Sequence, residues 1–321
     1  MDDRKTVFLF AGQGSQYFRM AKSLFDSDAT FHDWMRRLDR IVEDMAGCSV
    51  VEALYGGGRG LGDVFDRTIL THPAIFMVEY SLAQSLIGAG VRPDLTLGVS
   101  VGSFAAAAVA GFLSPEDALR GVLWQALALE GHCQPGGMIA VLADPALYNG
   151  SDLCRHSELA AVNFASHFVV SAPKSELAAI ESELTRRSVI YQRLPVSFAF
   201  HSQWIDAARR AFEARLGSLR IDAGILPMMC CQRAGVLRAL PDGYFWNVVS
   251  RPMRFPEAIT ELERAGTCRY IDVSPGGTLA TLLKYVRPAT PPELIRAIIT
   301  PHGRELQMHA DICAVRYPRR L

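Results

Sequence analysis

Apolar positions along this chain fall into short continuous runs and longer stretches with helical spacing. "TVFLFAG" (6–12) is a continuous run ending in the glycine-rich "GQGSQ", which predicts a buried first strand. Helical patterns follow over "MAKSLFDSDATFHDWMRRLDRIVEDM" (20–45) and "PAIFMVEYSLAQSLIGAG" (73–90). A second short run, "DLTLGVS" (94–100), predicts a strand, and the alanine-rich "SFAAAAVAGF" (103–112) a helix. "SPEDALRGVLWQALALEG" (114–131) predicts a further helix, with Ser114 as N-cap, Pro115 in the first helical position, and Glu116 and Asp117 in the first turn. Strands alternating with helices predict an α/β fold, a mainly parallel sheet with helices on both faces.

From Gly136 the texture changes. "GMIAVLA" (137–143) predicts a strand and "PALYNGSDLCRH" (145–156) a short helix. "LAAVNF" (159–164) and "HFVVSA" (167–172) predict a strand pair, "KSELAAIESELTRR" (174–187) an amphipathic helix, and "VIYQRLPV" (189–196) a last strand. That order is β-α-β-β-α-β, a ferredoxin-like small subdomain over 137–196 inserted into a larger one formed by 1–136 and 197–321. The α/β pattern then resumes, with "CRYIDVSPGG" (268–277) as a late strand and loop.

Composition narrows the function classes. The 321 residues are half hydrophobic, and 33 basic side chains balance 33 acidic ones, so no basic stripe for nucleic acid is expected. The basic tail "RYPRR" reads as a solvated terminus. No apolar stretch reaches the roughly 18 residues of a membrane span, and the N-terminus lacks a signal-peptide layout. Seven scattered cysteines without a C-x-x-C pair predict reduced thiols in a cytoplasmic protein. No metal site is expected.

The candidate chemistry centres on "LGVSVGSF", where Ser100 stands between Gly98 and Gly102. A strand before it and a helix after it are the context of a nucleophile elbow, the strained turn that exposes a serine hydroxyl; the alternative is the end of a buried strand. A serine nucleophile needs a base. Among eight histidines, His201 in "PVSFAFHSQW" lies where a strand is expected to give way to a helix. The glycine-rich "YGGGRGLGD" (55–63) lacks the G-K-[ST] ending of a phosphate loop and reads as a surface loop.

Four motifs occur in order: "FLFAGQGSQ", G-x-S-x-G around Ser100, "FAFHS" and "IDVSPGGTL". Together with "DRTILTHPAIF", "PGGMIAV", "AVNFASHFVVSA" and "YFWNVVSRPMRF", they resemble the acyltransferase family of polyketide and fatty-acid synthesis, which includes malonyl-CoA:acyl-carrier-protein transacylases. The resemblance covers nearly the whole chain. It implies an α/β-hydrolase-like core with a ferredoxin-like insert and a Ser100–His201 dyad whose imidazole is oriented by a backbone carbonyl. It also implies an oxyanion hole of the Gln13 and Val101 backbone N–H groups. The acyl group would arrive as a thioester on acyl carrier protein or CoA, so phosphopantetheine belongs to the substrate and the protein needs no cofactor of its own.

The chain departs from that family at named positions. Val99 stands where the family usually has histidine, Ser103 where it has glutamate, and His72 where it has glutamine. Counting from "EDA", the arginine that malonyl-type members use to clamp a carboxylate falls on Gln125, and Arg120 lies on another helix face. A neutral amide cannot replace a bidentate guanidinium. Gln125, Val99, His72 and Phe200 are therefore the candidate acyl-pocket residues, and acyl groups without a carboxylate are favoured. This combination resembles the free-standing subgroup that hydrolyses acyl chains from the carrier proteins of polyketide synthases. The alternatives are an acyl-CoA:acyl-carrier-protein acyltransferase and an inactive carrier-protein-binding module on the same scaffold.

Overall fold

The computed structural model describes residues 4–264 and 266–315; the "RYPRR" segment lies outside the described residues. In chain order the strands are β1 (Thr6–Phe10), β2 (Leu95–Gly98), β3 (Gly136–Leu142), β4 (Glu158–Phe164), β5 (His167–Pro173), β6 (Ile190–Arg193), β7 (Met228–Cys230), β8 (Gly235–Leu237), β9 (Arg269–Asp272) and β10 (Ile295–Ala297). They form two sheets, a six-stranded one ordered β10-β9-β1-β2-β7-β8 and a four-stranded one ordered β4-β5-β3-β6. In the large sheet every pairing is parallel except β7 with β8.

β1 shows why a continuous apolar run belongs in a parallel sheet. All five of its residues are buried. Phe8 and Phe10 join one core, while Val7 and Leu9 join a second on the opposite face. Side chains alternate across a strand, so a strand covered on both sides needs apolar residues at every position.

The small sheet is antiparallel throughout and divides its side chains differently. Ile139, Val141, Phe168 and Val170 pack with Leu177, Ile180 and Leu184 of the helix Lys174–Arg186. The alternate residues Met138, Ala140 and Val169 join the large body's core instead. A backbone bond from Met253 N–H to Ala160 O (2.9 Å) ties the small sheet to a loop of the large body.

Several boundaries differ from the sequence expectation, each for a local reason. The helical stretch 20–45 is two helices, Lys22–Ser27 and Ala29–Ala46, because the Asp28 carboxylate turns to accept the Phe31 N–H and caps the second. The helix expected from Pro73 begins earlier, at Thr68, and holds Pro73 inside it. "PALYNGSDLCRH" forms two single turns, Ala146–Asn149 and Leu153–His156, separated by Gly150. β6 stops at Arg193, so residues 194–202 are irregular and His201 does not follow a strand directly. The Ser114 cap is as expected, its hydroxyl accepting from Asp117 N–H.

Candidate active site

The carboxyl ends of β1, β2 and β9 lie side by side, with Phe10 opposite Gly98 and Leu9 opposite Asp272. In open α/β sheets this edge is where ligands bind. Ser100 follows β2 and precedes the helix Gly102–Val109. Its backbone is left-handed, φ 54°. A non-glycine residue there is strained, and strain of this kind has to be held by its surroundings.

The flanking glycines hold it through close approach. A Cβ on Gly98 would lie 2.4 Å from Ser103 Cα, and one on Gly102 would lie 2.3 Å from Ala11 O. The helix therefore folds tightly back onto the strand that feeds it and onto the end of β1.

His201 is held from the opposite side by the helix Tyr244–Ser250. Its backbone N–H donates to Val249 O (2.8 Å), and its ring Nδ1 lies 2.8 Å from Arg251 O. Nδ1 must donate to that carbonyl, so Nε2 is the unprotonated nitrogen of the neutral ring. Nε2 lies 3.1 Å from Ser100 Oγ. His201 is also left-handed, φ 60°. Burial pushes its pKa down to about 4, partly offset by the Arg251 carbonyl. At neutral pH the imidazole is uncharged and able to take a proton.

Gln13 and Val101 flank the serine from the β1 turn and from the start of the following helix. Neither backbone N–H donates to a protein acceptor among the described residues. Two free backbone donors beside a serine hydroxyl can stabilise negative charge developing on oxygen.

A cavity of about 210 Å³ opens at this point, lined by Gln13, Val99, Ser100, Phe200 and His201. Met138, Ala140 and Val169 of the small sheet close one side, and Leu279 and Leu282 of the helix Thr278–Val286 another. The two remaining candidates stand apart from the lining. His72 is fully buried behind it, its ring 5.4 Å from that of Phe200. Gln125 is also fully buried; its Nε2 makes only a long bond (3.5 Å) to Phe245 O, and its Oε1 has no partner.

The cavity includes residues that the sequence reading did not single out. Asn163 and His167 face it from the β4–β5 hairpin, with Asn163 Nδ2 donating to His167 Nδ1 (3.0 Å). Both sit in the quoted "AVNFASH" stretch, but only the pairing of the sheets turns them toward Ser100.

Fold and site together define an α/β protein with a histidine-bonded serine on a strained elbow beside two free backbone donors. The family description "Acyl transferase domain" matches residues 7–289. The chain is 42% identical over 300 residues to the polyketide biosynthesis acyltransferase homolog BaeD of Bacillus velezensis, covering 93% of each chain. It is 40% identical over 315 residues to the polyketide biosynthesis acyltransferase homolog PksD of Bacillus subtilis, covering 98% of this chain and 97% of that one. Among solved structures, a loading acyltransferase from the avermectin modular polyketide synthase superposes with a TM-score of 0.84 at 27% identity, over 95% of this chain and 98% of the other. The chain belongs to the acyl transferase domain family of enzymes.

Proposed function

We propose that this protein is a serine-dependent hydrolase of acyl thioesters carried by the acyl carrier protein domains of a polyketide synthase, acting on chains without a carboxylate. Its large sheet is read as an α/β-hydrolase-like core (1–136 and 197–321), and 137–196 as a ferredoxin-like insert. Ser100 Oγ attacks the thioester carbonyl while His201 Nε2 takes its proton, and the Gln13 and Val101 N–H groups receive the oxyanion. The Arg251 carbonyl steadies the imidazolium at Nδ1. His201 then protonates the departing pantetheine thiol and deprotonates the water that cleaves the ester, releasing free acid. The protein supplies no cofactor, because phosphopantetheine arrives with the substrate. Its seven free cysteines suit a reducing, cytoplasmic setting.

The observation that carries the preference for chains without a carboxylate is the cavity lining, which holds no lysine or arginine among the described residues. A malonyl carboxylate buried there would lack a cation, at a cost of several kcal/mol. The names of BaeD and PksD favour a second outcome, transfer of the acyl group to a carrier thiol. Acyl-loaded carrier protein plus empty carrier separates the two. Free acid is expected; reloaded carrier with little free acid would establish the transferase. Absence of Ser100 labelling by a fluorophosphonate would leave only a carrier-binding module.

A further inference from the structure

The two oxyanion donors are held in unequal ways. Val101 N–H is fixed by the elbow and by the helix it opens. Gln13 lies on a turn between Gly12 and Gly14, and Gly14 has φ 103°. Bonds from Gly14 N–H to Gln16 Oε1 (2.7 Å) and from Ser15 Oγ to Gly12 O (2.9 Å) pin the turn on either side, but neither holds Gln13 itself, and a donor that wanders contributes little to a transition state.

The Gln13 side chain removes the freedom that remains. Its Nε2 donates to Thr71 Oγ1 at 2.9 Å, and its Oε1 lies 2.9 Å from His72 Nε2. An amide oxygen only accepts, so His72 Nε2 carries the proton and donates. Thr71 and His72 are adjacent residues of the helix Thr68–Gly88, with exposures of 0% and 1%. The His72 ring also rests on Phe200, the residue before the candidate base. One buried side chain therefore touches both the oxyanion turn and the segment that presents His201.

We infer that His72 and Thr71 are positioning residues that clamp the Gln13 amide and so aim the Gln13 backbone N–H at the developing oxyanion. This rests on the Ser100–His201 reading above. Because Nε2–H is present whether or not the ring is charged, the clamp does not depend on pH. Burial moreover keeps His72 neutral, with its pKa pushed down to about 3.

The test compares His72→Phe, which keeps a ring against Phe200 but removes the donor, with His72→Gln, which restores a donor amide. Steady-state kinetics on an acyl-pantetheine thioester are measured beside the affinity for an acyl trifluoromethyl ketone, which forms an oxyanion when Ser100 adds to it. His72→Phe should lower kcat by about tenfold or more, short of the roughly hundredfold cost of deleting a donor outright. KM should stay level, ketone affinity should fall by a similar factor, and His72→Gln should recover most of both. Thr71→Val, which cuts the other bond with little change of shape, should act in the same direction and replaces His72→Phe if that variant does not fold. Unchanged kcat and ketone affinity, or a rise in KM alone, would overturn the inference. Failure of the unmodified protein to label at Ser100 would instead sink the reading it rests on.

Discussion

His201 Nε2 lies 3.1 Å from Ser100 Oγ, and the two residues share a left-handed backbone although 101 positions separate them. Each strained residue is held by a different element. The elbow between β2 and its helix holds the serine, and the carboxyl end of the helix Tyr244–Ser250 holds the histidine. The oriented carbonyls at that end also favour positive charge on the ring as it accepts a proton.

An acyl thioester should therefore add its acyl mass to the peptide carrying Ser100, and Ser100→Ala should abolish the addition. His201→Ala should leave the circular dichroism spectrum unchanged and slow acylation by about 10²- to 10⁴-fold. A near-normal rate in that variant would assign the base elsewhere.

On the proposed role of His201 as base, its depressed pKa sets the acid limb of the rate profile. With a folded value of about 4, kcat/KM should hold below the unperturbed histidine pKa of about 6.5 and halve near pH 4. The same shift lowers stability in acid. Between about pH 6.5 and pH 4 the unfolded chain binds the proton that the folded chain refuses, so stability falls as pH falls. His72, at about 3, acts with the same sign and extends the loss to lower pH. Initial rates and urea midpoints measured from pH 4 to 8 check both limbs; a midpoint near pH 6.5 in kcat/KM would contradict the assignment.

Glu79 carries the opposite sign. Its carboxyl is fully buried with neither oxygen in a well-formed hydrogen bond, and burial, then the nearby Asp272, raise its pKa well above the usual range. A raised carboxyl stabilises the fold while protonated and loses that contribution as pH climbs from the unfolded value of about 4.3 through the folded one. Glu79→Gln should flatten the decline of the urea midpoint toward alkaline pH. An identical pH slope in the variant would show that Glu79 does not titrate there.

On the proposed reading Gln125 bears on substrate charge, although it stands apart from the cavity lining. Uncharged acyl thioesters should be processed faster than malonyl ones by about tenfold or more, since a lost bidentate pair is worth at least about 1.4 kcal/mol. Gln125→Arg should narrow the gap. It should also lower the melting temperature, because position 125 is fully buried and a cation there is uncompensated. Efficient malonyl processing by the unmodified protein would remove Gln125 from the specificity argument.

What the sequence determined by itself is local. Continuous apolar runs marked β1 and β2, alanine and a capping serine marked the helices around them, and glycine spacing marked the elbow at Ser100. Propensity, capping and close-approach constraints act over a few residues, so they can be read along the chain. The motifs in register also identified His201 as the partner, though spacing alone offered eight histidines. Tertiary structure decided what depends on distant segments meeting. It set Asn163 and His167 facing the cavity, His72 buried behind it and Gln125 buried outside its lining, and Arg251 offering a carbonyl rather than its guanidinium. It also joined Gln13 to Thr71 and His72 across nearly sixty residues. None of these contacts has a periodicity of its own, because each arises from how the sheets and helices pack and not from the residues beside it.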